Sequence, residues 1–155
     1  KKALDQLDKT RIFEGKQIQK DLTKRLSFIK KDIRDMNKLS IDLKKKRKKE
    51  ISDKIKFYTD QNPIDNNRLM QEVAYLIERS DITEEIVRVN IHIDSFLEYL
   101  KAKKPVGKRL GFLTQEINRE VNTIGSKSPL PSVTGKVVEV KNELEKIREQ
   151  LLNIL

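Results

Sequence analysis

Apolar residues in this chain recur three, four or seven positions apart over most of its length, and that period admits helices and little else. The last segment is the cleanest: Val133, Val137, Val140, Leu144, Ile147, Leu151 and Ile154. Ile82, Ile86, Val89, Ile93, Phe96 and Leu100 form a second stripe, and Leu22, Leu26, Ile29, Ile33, Met36 and Leu43 a third. Side chains at such intervals share one face of a 3.6-residue helix, whereas a half-buried strand needs strict alternation. Even VGKRLGFL, the stretch closest to a strand, fits the helical period better.

The stripes and the turn residues between them predict five helices. The first runs from near Lys1 to the late fifties, with a candidate break at residues 38–40, where Ser40 occupies a stripe position. Residues 58–67, YTDQNPIDNN, end it with Pro, Asp and Asn in turn-forming order. A second helix covers about 66–78, with Leu69, Val73 and Leu76 facing inward. Ser80 and Asp81 offer an N-cap for the third, and Glu84 stands in capping-box spacing to Asp81. Lys101 to Lys104 close that helix, where cations complement its dipole. A fourth covers about 107–124, residues 125–132 (GSKSPLPS) read as a loop, and the fifth carries the last stripe. The fold class is therefore all-α, an elongated set of antiparallel helical hairpins or a bundle with heptad-like seams.

Composition narrows the class further. Charged residues are 37% and aromatic residues 5% of the 155, with no Cys and no Trp, as suits long helices washed by solvent. The lack of Cys excludes disulfides and thiolate metal sites, and is compatible with a reducing cytoplasm. No apolar run is long enough to span a bilayer. The net charge of +10 lies entirely within residues 1–62, which hold 20 Lys and Arg against 10 Asp and Glu. It peaks at Lys44, Lys45, Lys46, Arg47, Lys48 and Lys49, a block that attracts polyanions, phosphate backbones above all, or else forms a solvated helix face. The chain divides on this basis into a basic segment, 1–62, and a second domain, 63–155.

The chemistry-bearing residues concentrate between 79 and 128. On the fourth helix Arg109, Glu116 and Glu120 fall within about 40° of one another at 100° per residue. Glu116 and Glu120 are an i, i+4 carboxylate pair, unfavourable unless a cation intervenes. They read either as ligands of a hard divalent ion or as a salt-bridged flank beside Arg119 or Arg109. Asp81, Glu85, Arg88 and His92 share one face of the third helix, at the margin of its apolar stripe. His92, the chain's single histidine, is either a proton shuttle or a structural hydrogen-bonder. Asp81 and Glu84 favour the capping role. Ser126 and Lys127 can offer donors to phosphate oxygens, and no P-loop, GxGxxG or GxSxG motif is present.

The block from Gly107 to Lys127 reads GKRLGFLTQEINREVNTIGSK. With Gln115-Glu116, Arg119-Glu120, Asn122-Thr123 and Ser126-Lys127 in place, it resembles the signature of the YicC/YloC family of bacterial endoribonucleases. Residues 79–92 and 137–154 resemble the flanking family segments, and Arg11 to Gly15 resembles a weaker upstream block. Relatives carry a further N-terminal domain, and this chain opens KKALDQ without Met, so it reads as the C-terminal portion of a longer protein. The sequence departs from the family at Gly111, where relatives have Asp, and at Ser132 and Leu155, which are commonly acidic.

The resemblance implies a cytoplasmic, divalent-metal-dependent endoribonuclease acting on single-stranded RNA, with Mn²⁺ or Mg²⁺ as the ion. Glu116 and Glu120, with Glu85 or Asp81, are the expected metal ligands. Arg109, Arg119 and Lys127 would stabilise charge on the phosphorus, and His92 would move a proton. Lys44 to Lys49, Lys127 and Asn122 would hold the RNA. The resemblance also implies a ring-like homo-oligomer, a hexamer. A non-catalytic helical module for RNA binding or oligomerisation is the alternative, and a coiled-coil scaffold without nucleic acid is a third reading.

Overall fold

Residues 2–59, 66–102 and 105–152 are described by the computed structural model, and their regular structure is entirely helical. Five helices follow in order: α1 (Lys2–Thr59), α2 (Asn66–Arg79), α3 (Thr83–Lys101), α4 (Gly107–Lys127) and α5 (Pro131–Leu152). The expected turn at 60–65, along with Ile154 of the last stripe, lies outside the described residues, as does the side chain of Leu76.

Helix α1 runs unbroken for 58 residues, about 87 Å at 1.5 Å per residue. The break expected at residues 38–40 is absent. That stretch has neither Pro nor Gly to interrupt the hydrogen-bond ladder, and Ser40 simply sits buried in the stripe. Polar contacts between helices set the directions. Lys44 meets Asp81, Lys30 meets Asp94 at 2.7 Å, and Gln19 Nε2 donates to the Leu100 carbonyl at 2.7 Å, so α3 is antiparallel to α1. Arg25 reaches Glu143 at 2.9 Å and Lys136 reaches Asp32 at 2.8 Å, so α5 is antiparallel to α1 as well. Arg88 faces Glu120 and Arg109 stacks on Tyr99, which makes α4 antiparallel to α3. The middle of α1 thus joins α3, α4 and α5 in an up-down-up-down four-helix arrangement.

The stripes meet in one core. Leu22, Leu26, Ile29, Ile33 and Met36 of α1 pack with Ile86, Val89, Ile93 and Phe96 of α3. Leu110, Leu113, Ile117, Val121 and Ile124 of α4 and the valine–leucine–isoleucine seam of α5 complete it. Leu43 is only half-buried, because α1 there begins to leave the bundle. Beyond that point α1 continues outward, and α2 returns along it with Leu69, Val73 and Ile77 half-buried.

Two sequence expectations about helix ends change. Residues 125–132 are not a long loop: α4 extends through Lys127 and α5 starts at Pro131, leaving residues 128–130 as the connection. Proline at the first helical position gives up an N–H that has no intrahelical partner anyway. Ser126 and Lys127 therefore sit in the last turn of α4, not after it. At the start of α3, Ile82 takes the N-cap position. Asp81 Oδ1 still accepts from the Thr83 N–H at 2.9 Å, while Glu84 does not close a capping box and pairs with Arg88 instead.

The glycines of α4 differ in what surrounds them. A Cβ on Gly125 would stand 3.3 Å from Val137 Cγ1, so α4 and α5 approach closely there. A Cβ on Gly111 would meet nothing within 4 Å. Gly111→Ala should accordingly stabilise the fold by roughly 0.5–1 kcal/mol through helix propensity alone. Urea denaturation would read this as a raised midpoint; a lowered one would mean that α4 packs differently at this point.

Candidate functional site

A chain of ionic contacts runs along the groove between the N-terminal half of α3 and the C-terminal half of α4. Glu85, in the first turn of α3, is 2% exposed. Its Oε1 accepts from Lys127 Nζ at 2.7 Å and lies 3.5 Å from an Arg88 guanidinium nitrogen. Arg88 Nε stands 2.9 Å from Glu120 Oε1, in an orientation that makes the contact ionic more than hydrogen-bonded. Glu84 pairs with the outer side of the same guanidinium. One arginine thus serves three carboxylates, and proximity to Glu120 foremost holds its proton more tightly than usual. Glu85 Oε2 is buried with no hydrogen-bond partner. A carboxylate oxygen left bare in a low-dielectric site is costly and therefore informative.

These residues are where they are because the apolar stripes put them there. Ile82, Ile86, Val89 and Ile93 occupy the core side of α3, so Glu85, Arg88 and His92 fall at its margin. Ile117, Val121 and Ile124 do the same for Glu116 and Glu120 on α4. The register that sets Arg88 opposite Glu120 and Tyr99 opposite Arg109 brings His92 level with Glu116. Both are half-buried.

The groove opens at its Lys127 end onto the base of the outward part of α1. Lys44 Nζ lies 2.6 Å from Asp81 Oδ1, and Lys127 Nζ also reaches the Asp81 carbonyl at 3.3 Å. Burial alone would raise the Asp81 carboxyl. The Lys44 ammonium and the two Thr83 donors overcome this and hold it down at about 2, against an ordinary 3.8. Since the folded value is the lower one, Asp81 contributes its full stabilisation above about pH 4 and loses it as pH falls towards 2. Its side chain is 40% exposed, so the effect is that of a surface pair, up to roughly 1 kcal/mol. Asp81→Asn should lower stability at neutral pH, with the deficit shrinking as pH falls from about 4 through 2; a deficit that stays constant over that range would mean the loss is not ionic.

Beside this junction is a cleft of about 360 Å³ lined by Arg47, Arg79, Ser80, Ser126, Lys127 and Pro129. Three segments distant in sequence supply its three cations.

The structure therefore unites some of the residues singled out from sequence and separates others. Glu85, Glu120 and Lys127 are joined through Arg88, and Asp81 is tied to Lys44. Arg109 lies at the far end of the groove, its guanidinium 5.4 Å from the Tyr99 ring centre and about 16 Å along the axis from Glu120. Arg119 and Asn122 are exposed, and among the described residues neither joins the network. The six basic residues of α1 wrap around the helix. Lys44 is ion-paired, Lys46 approaches Glu50 at 4.0 Å, Arg47 lines the cleft, and Lys45, Lys48 and Lys49 are exposed. Sequence reasoning missed the central place of Arg88, and the cleft residues Arg79 and Ser80. Arg88 three and four positions after Glu85 and Glu84 was the available signal.

As a metal site the arrangement is incomplete. Among the described residues no three His, Asp or Glu side chains come close enough together to form a ligand set. Arg88 and Lys127 supply the positive charge that Glu85 and Glu120 face. The bare Glu85 Oε2 is the one feature that suits an added cation. No described helix is long and apolar enough to cross a membrane.

Known proteins are similar to this sequence. The family model described as "Endoribonuclease YicC-like, C-terminal" matches residues 33–155. A Clostridioides difficile (strain 630) protein named "Probable endoribonuclease YicC" is 42% identical over 153 residues, 98% of this chain and 52% of its own. A Haemophilus influenzae protein of the same name is 38% identical over 99 residues, 64% of this chain and 34% of its own. The chain spans about half the length of the first relative and a third of the second. With the signature helix α4 and its facing helix α3 both inside the matched region, the chain belongs to the YicC-like endoribonuclease family.

Proposed function

We propose that this chain is the helical, RNA-acting portion of a cytoplasmic endoribonuclease that cuts single-stranded RNA with the help of a divalent cation. The observation that carries the proposal is the pair of buried carboxylates, Glu85 and Glu120, bridged by the half-buried Arg88 and opening, through Lys127, onto a cationic cleft. Family membership supplies the reaction class, and the curated relatives are named as endoribonucleases. The basic stretch of α1 supplies a track for the phosphate backbone. Its exposed Lys45, Lys48 and Lys49 attract polyanions in a salt-dependent, sequence-independent way.

The chain's own residues divide the work by position. Arg88 and Lys127 hold positive charge against the groove and can stabilise negative charge that develops on a phosphate placed there. Glu116, half-buried, and Glu120, buried against Arg88, are the carboxylates of the α4 flank, and His92, level with Glu116, would hold or pass a proton. The metal part rests on the family resemblance and on the bare Glu85 oxygen. The bare Glu85 oxygen would give such an ion one protein ligand, and the chemistry the ion would supply is activation of water or neutralisation of phosphate charge. Self-association is supported by Leu7, Ile12 and Phe13, which α1 leaves exposed beyond the bundle.

Cleavage of an end-labelled single-stranded RNA by the full-length protein, with Mn²⁺ or Mg²⁺ against EDTA, tests the proposal. Internal cuts that disappear in EDTA are expected. Binding without cuts under every metal condition would replace the enzyme by the RNA-binding module.

A further inference from the structure

We infer that the cleft formed by Arg47, Arg79 and Lys127 binds a terminal phosphate monoester, so that the protein distinguishes RNA ends carrying a 5′-phosphate from those carrying a hydroxyl. The inference rests on RNA being the ligand, and it adds end recognition to the cutting proposed above.

Charge balance is the first argument. Lys127 is already neutralised by Glu85 at 2.7 Å. Arg47 and Arg79 have no ion-pair partner among the described residues, and no carboxylate lines the cleft. Two uncompensated guanidinium groups match a monoester, which carries close to two negative charges at neutral pH. An internal diester carries one and would leave an arginine unanswered. Guanidinium forks also suit the three free oxygens of a terminal phosphate, which accept paired hydrogen bonds.

Placement is the second. The cations come from α1, from the end of α2 and from the last turn of α4, so the cleft exists only in the folded chain. Ser80 and Ser126 add hydroxyls at its wall, and Pro129 supplies an apolar surface for a sugar. In the structure both hydroxyls donate to carbonyls of their own chain, to Ile77 and Thr123 respectively, so recognition falls first to the cations. Lys127 joins this cleft to Glu85 and, through Arg88, to Glu120. An RNA end seated here would lead its following nucleotides towards the α3–α4 groove.

Two 3′-labelled RNAs of identical sequence, one with a 5′-phosphate and one with a 5′-hydroxyl, make the test with full-length protein. The phosphorylated RNA is expected to bind about tenfold more tightly, the gain from roughly one charge-assisted hydrogen bond. A nucleoside 5′-monophosphate should compete away that advantage, and Arg79→Gln should bring the ratio between the two RNAs close to one. Arg79 is exposed, so the variant should fold, and Arg79→Lys should keep part of the preference. Equal binding of both RNAs by the parent protein overturns the inference, as does a preference that survives Arg79→Gln. Continued internal cutting without any end preference would remove the end site and leave the endonuclease intact. An end preference without cutting would do the reverse.

Discussion

Full-length protein carrying both Glu116→Gln and Glu120→Gln is expected to lose RNA cleavage by roughly a hundredfold or more, the range typical of removing acid–base or charge-stabilising groups. Its binding of RNA should change little, because Lys45, Lys48 and Lys49 lie elsewhere, on the outward part of α1. The substitutions are close in shape, and Glu116 makes no ion pair among the described residues. Glu120 does face Arg88, so the fold should be checked by its thermal midpoint beside the kinetics. Single-turnover rates with saturating protein separate the step from binding. An undiminished rate would move the chemistry away from the α4 flank altogether.

The largest expected effect on stability is that of Phe96→Ala. Phe96 is fully buried within the core shared by α1, α3, α4 and α5. Truncating a buried aromatic ring in such a setting costs roughly 3–5 kcal/mol, through lost transfer energy and the cavity left behind. That is a large share of the stability of a domain this size. Phe96 is also one turn beyond His92 on α3, so the packing that holds it fixes the polar flank as well. Chemical denaturation of the parent and the variant should show the loss as a lowered midpoint with a similar slope. A loss below about 1 kcal/mol would mean that α3 can settle into the gap and that the groove is less firmly held than its burial suggests.

How far the sequence revealed this molecule follows from what each feature depends on. The stripes of α1, α3 and α5 were legible because burial on one face of a helix imposes its own period. Ile82 to Phe96 and Val133 to Leu151 lie buried as their spacing requires. The connection at 125–132 was misread because two prolines look like a loop, yet Pro131 serves as the first residue of α5. Ser40 was read as a weak point, but one small polar side chain in a seam does not break a ladder of backbone hydrogen bonds.

The site was legible in part. The carboxylates were visible as an i, i+4 pair and as the margin of a stripe, since both are properties of one helix. The Arg88 bridge was not, because it depends on how α3 and α4 slide past each other, which one helix cannot show. The cleft was still further from view, for Arg47, Arg79 and Lys127 belong to three helices. Arg109 shared the flank of Glu116 and Glu120 in angle alone; its height along α4 takes it to Tyr99 at the opposite end.

Where RNA lies on the full-length protein is the most direct question, and crosslinking answers it. Single-stranded RNA containing 4-thiouridine would be irradiated on the protein and the attached peptides identified by mass spectrometry. Crosslinks are expected on α1 around Lys45 to Lys49, near Arg79, and along the facing flanks of α3 and α4 about His92 and Glu116. Crosslinks confined to the opposite groove between α4 and α5, which Asn118, Lys141 and Arg148 line, would contradict the placement of the site.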